Sequence, residues 1–186
     1  MKKYLKAEAL AAVRSGDLST GLNKYREYLA LTPNAQDDDA WAARGGAHRR
    51  AGEIHEAIQC YQRAYELNPS SSYALVNLVS LRAARNNPDD AERQMRDVPK
   101  AIELCRESIG SDKATFWNWY DLATMHLISG ESDEAINLFH HAVALTPETA
   151  KENFRSVLSN LRFLQGRNPD IPGLADAVAL IERHAS

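Results

Sequence analysis

Two stretches of the chain share one spacing of residue types, and this repeat limits the fold more than any other feature. Equivalent positions in the two stretches are 78 residues apart throughout. The matched positions are Trp41, Gly45, Gly52, Ala57, Tyr61, Ala64, Leu67 and Pro69 in the first stretch, and Trp119, Ala123, Gly130, Ala135, Phe139, Ala142, Leu145 and Pro147 in the second. Agreement at so many fixed offsets predicts two copies of one structural unit.

Each matched residue type has a physical role in a pair of helices. Small residues such as Gly45 and Ala57 let two helices cross closely, and the aromatic residues fill the remaining gaps. Gly52 and Gly130 are predicted to end the first helix of each pair, because glycine adopts a positive φ at almost no cost. The residue before Pro69 avoids the helical region, and the second helix is therefore expected to end there.

This pattern resembles the tetratricopeptide repeat, in which a Trp, a small residue, a turn Gly, an Ala, an aromatic residue, a second Ala and a closing Pro follow one another. A weaker copy keeps its register at Gly16, Tyr25, Leu31 and Pro33. The resemblance implies an all-α fold, a right-handed superhelical solenoid of antiparallel helix pairs. We expect a single domain, 1–186, with repeats at about 2–35, 38–71, 72–115 and 116–149 and capping helices within 148–186.

The third repeat carries an insertion near 86–98. Its first helix is expected to break at Asn86–Asp90, and its second helix is expected to begin at Pro99, with 91–96 as an extra polar turn or two. An insertion in a repeat usually maps to a loop on one face. After the fourth repeat, two amphipathic segments, at about 148–165 and 172–184, have the pattern of capping helices.

The resemblance also implies that the first helix of each pair lines a concave groove. Aromatic residues exposed in such a groove are typical anchors for a partner protein. Trp117 and Tyr120 share one face of their helix, and two alternatives stay open for them: groove lining, or cover by the insertion. The predicted groove residues are Arg49, Tyr73, Val76, Asn77, Ser80, Trp117, Tyr120, Thr124 and Leu127.

Some members of the family hold the acidic tail of heat-shock chaperones with a clamp of Lys, Asn and Arg side chains, whose charges converge on a carboxylate. In one frame only Asn77 agrees with that clamp, and in the other only Lys6 does. We therefore do not expect a chaperone-tail site. The clamp positions hold Ala42, Gly46, Asn77, Trp117 and Asp121 in the first frame, and Lys6, Leu10, Ala43, Tyr73 and Asn77 in the second.

Charge and composition argue against nucleic acid and membranes as partners. The formal net charge is −3, and no run of Lys or Arg suggests a phosphate-binding stripe. The sequence also lacks an apolar segment of about 18 residues that could span a bilayer. Cys60 and Cys105 fall among apolar neighbours and are interpreted as buried thiols of a cytoplasmic protein, with a disulfide between them as the less favoured alternative.

No catalytic or metal-binding motif is complete. His55-Glu56 lacks the second His of a metalloprotease helix, and the adjacent His140 and His141 point about 100° apart on a helix. Acidic pairs at predicted helix starts are interpreted as helix caps. We therefore predict a protein without enzymatic activity, cofactor or metal.

The sequence thus favours a protein-protein interaction scaffold or adaptor that holds a partner helix or an extended peptide in its groove. Two alternatives remain. The first is a structural protein that self-assembles as a homo-oligomer through its terminal helices. The second is a regulatory or accessory subunit of a larger signalling or defence complex that docks through the C-terminal helices, 148–186.

Overall fold

The computed structural model describes residues 4–150 and 152–185, and within them the chain is helical with no β-strand. This confirms the predicted all-α fold. Short 3₁₀ turns occur at Asn34–Gln36, Pro88–Asp90 and Glu148–Ala150. The α-helices are α1 (Leu5–Arg14), α2 (Leu18–Leu29), α3 (Asp38–Arg50), α4 (Ile54–Leu67), α5 (Ser72–Arg85), α6 (Ala91–Ile109), α7 (Phe116–Ser129), α8 (Ser132–Leu145), α9 (Asn153–Gln165) and α10 (Leu174–Ala185). The predicted first repeat begins at residue 2, and residues 1–3 lie outside the described range.

The chain forms two compact units, Met1–Leu78 and Val79–Ser186. In the first unit, α1 packs on α2, α3 packs on α4, and α2 also contacts α3. In the second unit, α7 packs on both α6 and α8, while α10 packs on α8 and α9. Helices α1 and α2, α3 and α4, and α7 and α8 therefore form three antiparallel neighbour pairs of successive helices.

The small residues of the repeat lie where the sequence placed them, at close helix crossings. Gly45 is buried in α3 against the ring of Tyr61 in α4. A Cβ atom at Gly45 would lie 2.9 Å from Tyr61 Cδ2, closer than carbon atoms normally approach. Gly130, with φ of 85°, ends α7 in the left-handed conformation that was predicted for the turn.

The insertion differs from the prediction in its form. The break after α5 is confirmed, since Asn86 has φ of 49° and a 3₁₀ turn follows. However, α6 begins at Ala91 and continues without interruption through Pro99, so the insertion is mostly helix and not loop. Buried ion pairs account for this: Arg82 of α5 binds Asp97 at 2.6 Å, and Arg85 holds Asp90 with two bonds of 2.9 and 2.7 Å. These contacts fix the first turns of α6 before Pro99.

The two C-terminal helices are present, with shifted starts. Helix α9 begins at Asn153 and not at 148, because a 3₁₀ turn precedes it, and α10 begins at Leu174. Lys151 and Ser186 lie outside the described residues. The predicted apolar stripes are buried: Phe154, Val157, Leu158, Leu161 and Leu164 in α9, and Leu174, Ala177, Leu180 and Ile181 in α10.

A polar network joins α1, α2 and α3 in the first unit. Asp37 caps α3 by accepting from Ala40 N at 2.9 Å, and it also accepts from Lys6 Nζ and Tyr28 Oη, each at 2.8 Å. Burial alone would raise the pKa of Asp37, but the hydrogen bonds from Lys6, Ala40 and Tyr28 together hold that pKa below its usual value. The carboxylate form of Asp37 therefore stabilises the fold.

Replacing Asp37 by alanine is expected to lower the free energy of unfolding by about 1–2 kcal/mol at neutral pH. The pKa of Asp37 is lower in the fold than in the unfolded chain, so its contribution is present above about pH 4 and is lost as the pH falls through the folded pKa. Urea denaturation across an acidic pH series measures this difference. Asp112→Ala, in an exposed turn, controls for loss of one negative charge. A gap between wild type and Asp37→Ala that does not narrow in acid would contradict this role.

Candidate partner-binding surface

Tyr73, near the start of α5, is the most exposed of the predicted groove aromatics. It is 51% exposed, and its ring makes an edge-to-face contact with Tyr61, with centroids 6.1 Å apart. One turn further on, the Asn77 amide donates to the Tyr73 carbonyl at 2.9 Å. Arg49 in α3 is half-buried. The first unit therefore presents an aromatic ring, an amide and a guanidinium from predicted groove positions.

Gly46, which is half-buried, lies beside these residues. A Cβ atom at Gly46 would be 3.3 Å from the Tyr61 hydroxyl and 4.0 Å from the Tyr73 hydroxyl, so the space next to Gly46 is already occupied by the two tyrosine side chains. Tyr61 is fully buried. Burial, with the nearby Tyr73, raises the pKa of Tyr61, while Arg49 acts in the opposite direction. The absence of a side chain at Gly46 therefore leaves the α3 backbone uncovered beside the exposed Tyr73 ring. We name Gly46, Arg49, Tyr73 and Asn77 the α3–α5 surface.

Tyr120 and Leu127 do not line an accessible surface, and the expectation that they do is wrong. Tyr120 is 3% exposed, packs on Phe139 of α8 with ring centroids 6.2 Å apart, and shares a 3.0 Å hydrogen bond with the Thr146 hydroxyl. The ring thus lies inside the α7–α8 pair. The groove-lining alternative is therefore wrong for Tyr120, whose ring also lies near two other aromatic rings of its own helix. Leu127 is fully buried, and a Cβ atom on Gly173 would lie 3.3 Å from it.

Val76 is also buried, so three of the nine predicted positions offer no side chain to a partner. Trp117 is half-buried, with its ring centroid 6.2 Å from that of Tyr120. Ser80 and Thr124 are half-buried as well. Arg49, Tyr73 and Asn77 belong to the first compact unit, and Ser80, Trp117 and Thr124 to the second. Partner binding by these six residues stays a prediction.

A repeated histidine–glutamate pair was missed by the sequence interpretation. His48 Nδ1 lies 2.6 Å from Glu53 Oε2, and His126 makes the same contact with Glu131. In both cases the glutamate N–H also donates to the histidine carbonyl, at 3.0 Å and 2.9 Å. The pairs are 78 residues apart, so the repeat spacing itself could have revealed them. They close the turn between the helices of the second and fourth pairs.

The candidate metal and catalytic residues do not converge. His141 contacts the Trp119 ring at 4.1 Å, and His55 contacts Gln59. Within residues 4–150 and 152–185, no group of three or more His, Cys, Asp or Glu could hold a metal. Cys60 and Cys105 are buried free thiols, and burial raises the pKa of Cys60 to about 11.

No α-helix in the described part of the chain is long and apolar enough to cross a membrane.

Residues 38–71 match the family model of the tetratricopeptide repeat, and this range coincides with the predicted second repeat. The chain therefore contains a tetratricopeptide repeat at residues 38–71. The predicted resemblance is therefore confirmed, and α3 and α4 are the two helices of the matched repeat.

One curated protein and several solved structures are similar to this chain. Protein bimA of Emericella nidulans is 27% identical over 160 residues, which cover 80% of this chain and 19% of bimA. The chain thus spans about a fifth of the length of that relative. The solved structure MamA MSR-1 C2 is 14% identical with a TM-score of 0.54, covering 100% of this chain and 98% of its own. A MamA AMB-1 structure is 17% identical with a TM-score of 0.51, covering 100% and 93%. These structures share the fold.

Proposed function

We propose that this protein is a non-catalytic, cytoplasmic scaffold that binds a partner helix or an extended peptide, and that the α3–α5 surface is one contact site. The observation that carries the proposal is the exposed Tyr73 ring beside Gly46, a half-buried glycine that leaves the α3 backbone uncovered. A partner backbone can approach closely over a glycine, because glycine has no Cβ atom.

The residues around Gly46 suit a peptide with an acidic side chain. The half-buried Arg49 guanidinium can bind a carboxylate. Tyr73 supplies apolar area for a neighbouring side chain, at low entropic cost because it has few rotatable bonds. An exposed tyrosine beside charged and amide groups is a typical binding hot spot.

The alternative of docking or self-assembly through the C-terminal helices α9 and α10 has less support. The apolar stripes of α9 and α10 are already buried. Among the described residues, the exposed large hydrophobic side chains are Tyr4, Leu10, Tyr73, Met95 and Leu145, and none of them lies in α9 or α10. A contact through these two helices would therefore depend on polar side chains.

Tyr73→Ala is expected to weaken partner binding by about 1–3 kcal/mol while the fold stays intact, because half of the side chain is already exposed. The measurement is affinity capture from source-cell lysate with quantitative mass spectrometry, followed by a dissociation constant for the captured protein. Leu145→Ala, which truncates an exposed leucine in the second unit, is the matched control. A partner retained equally by wild type and Tyr73→Ala would rule out the α3–α5 surface as its site.

Gly46→Ala gives a second, independent test of the same surface. Alanine is favoured over glycine inside a helix by about 0.5–1 kcal/mol. Its Cβ atom would press on the Tyr61 hydroxyl at 3.3 Å, which opposes that gain, so the melting temperature is measured together with capture. Loss of capture with an unchanged melting temperature supports the proposal, because the added methyl group covers the α3 backbone. Full capture by a well-folded Gly46→Ala would show that no partner backbone packs over this position.

A further inference from the structure

A cavity of about 360 Å³ in the first unit lies between α2 and α3, away from the α3–α5 surface. Residues on one face of α2 form one wall, and residues one turn apart in α3 form the other. Glu53, just before α4, completes the lining. The lining residues are Leu18, Ser19, Leu22, Asn23, Arg26, Arg44, His48, Ala51 and Glu53.

Arg44 occupies a position that the repeat normally gives to an apolar side chain. Its equivalent, 78 residues later, is Leu122, which is buried. Arg44 stacks over the Trp41 ring at 5.6 Å, and its Nε atom is buried without a hydrogen-bond partner in the described residues. A buried guanidinium nitrogen without an acceptor is unfavourable unless a ligand supplies one. The repeat fold itself does not require this arginine.

The positive charge of the cavity is not balanced by its own residues. Arg26 and Arg44 make no ion pair in the described part of the chain, whereas the carboxylate of Glu53 is bound by His48. His48 is 7% exposed, and its second ring nitrogen, Nε2, is buried without a partner. The exposed Arg26 and the half-buried Arg44 therefore line one cavity from two helices, and the one acidic group of that lining is already bound by His48.

A cleft of the second unit is lined without charged side chains. That cleft, about 390 Å³ between α6 and α7, is lined mainly by apolar groups: Ala91, Gln94, Met95, Val98, Pro99, Ile128 and Ser129. The His126–Glu131 pair is present in that unit as well. The histidine–glutamate pair thus recurs in both units, while Leu122 stands in the second unit where Arg44 stands in the first.

We propose that the α2–α3 cavity binds an oxyanion, a carboxylate or a phosphate, that is carried on a short apolar group. Arg26 and Arg44 would hold the oxyanion, because the fork of N–H groups on a guanidinium matches two oxygens of one anion. Asn23 and Ser19 supply further donors, and Leu18 and Leu22 provide an apolar wall for the rest of the ligand. The volume is in the range of small-molecule and side-chain pockets.

The test is an NMR titration of the full chain that follows backbone amides and arginine Nε–H groups. Three probes distinguish a phosphate site from a carboxylate site and test the need for an apolar group. They are inorganic phosphate, phenyl phosphate and 3-phenylpropionate, each compared with sodium chloride at equal ionic strength. We expect saturable shifts at Arg26, Arg44 and the α2–α3 amides, with phenyl phosphate or phenylpropionate binding more tightly than phosphate alone. The better of these two identifies the anion. No saturable shift with any of the three probes would overturn the proposal.

Variants locate the site. Arg44→Gln and Arg26→Gln should each weaken binding by about tenfold or more, since each removes a charge-assisted contact. Arg44→Lys keeps the charge but lacks the fork, and it should recover only part of the affinity. Arg63→Gln, in α4 where Arg63 pairs with Glu66, is the matched control and should bind normally. Melting curves identify any variant that fails to fold. Saturable binding that is unaffected in both folded Gln variants would place the anion elsewhere and contradict the proposal.

Discussion

Asp97→Ala is expected to lower the free energy of unfolding by about 3–5 kcal/mol. Asp97 is the partner of Arg82 at 2.6 Å, and Arg82 is only 4% exposed. Burial lowers the pKa of Arg82 while Asp97 opposes that shift, so the pair holds a charge that is costly to bury alone. Removing the carboxylate leaves that charge in place and removes the group that pairs with it at 2.6 Å, while Asp90 contributes a weaker favourable interaction. Urea denaturation followed by circular dichroism measures the loss.

Two further variants distinguish the contribution of the buried ion pair to stability from that of neighbouring groups. Arg96→Ala removes an exposed arginine that also binds Asp97, at 2.7 Å, and should cost under about 1 kcal/mol because exposed pairs contribute little. Replacing both buried partners, Arg82→Met with Asp97→Leu, should recover most of the stability that Asp97→Ala loses. A loss as small for Asp97→Ala as for Arg96→Ala would show that Arg82 finds compensation elsewhere.

The same ion pair explains why the insertion was only partly predictable. The sequence correctly placed a helix break after Arg85, because Asn and Pro there disfavour helix continuation. It misplaced the start of α6 at Pro99, since a proline is common at the first position of a helix. Contacts between α5 and α6 determine where α6 begins, and local helix propensity does not include such tertiary contacts.

Residues defined by close packing were well predicted. Gly45, Tyr61 and Phe139 lie in the core as expected, because a close helix crossing allows few residue types and so leaves a clear spacing in the sequence. The prediction of which side chains line the groove was less reliable. Tyr120 follows Trp119 directly, and spacing alone does not show which ring turns toward α8. In the second repeat the equivalent residue, Ala42, is also buried, so the position itself faces inward.

The arginines of the α2–α3 cavity were visible in the sequence but carried no signal there. Arg44 lies between Trp41 and Gly45, at a position that was not among those matched between the two repeats. Only the structure shows that its Nε atom is buried and that Arg26 lines the same cavity. A site formed by residues on different helices depends on tertiary contacts. The repeat pattern predicts such contacts only for its signature residues.

Phe139→Ala is expected to lower the free energy of unfolding by about 3–5 kcal/mol, which places it among the most damaging single changes in the second unit. Phe139 is fully buried between α7 and α8 and packs on Tyr120. Truncation removes apolar contact area and leaves a cavity beside Ala135 and Ala142, whose small side chains cannot fill it. The effect is measured by urea denaturation and by thermal melting.

Phe139→Leu and Leu145→Ala show whether the loss comes from the cavity. Leucine keeps most of the buried volume, so Phe139→Leu should cost clearly less than Phe139→Ala. Leu145 lies in the same helix but is exposed, and its truncation should change stability by under about 0.5 kcal/mol. If Phe139→Ala cost no more than Leu145→Ala, the aromatic position of the repeat would not be filling space between the helices. The packing role that the repeat spacing assigns to Phe139, and by equivalence to Tyr61, would then be wrong.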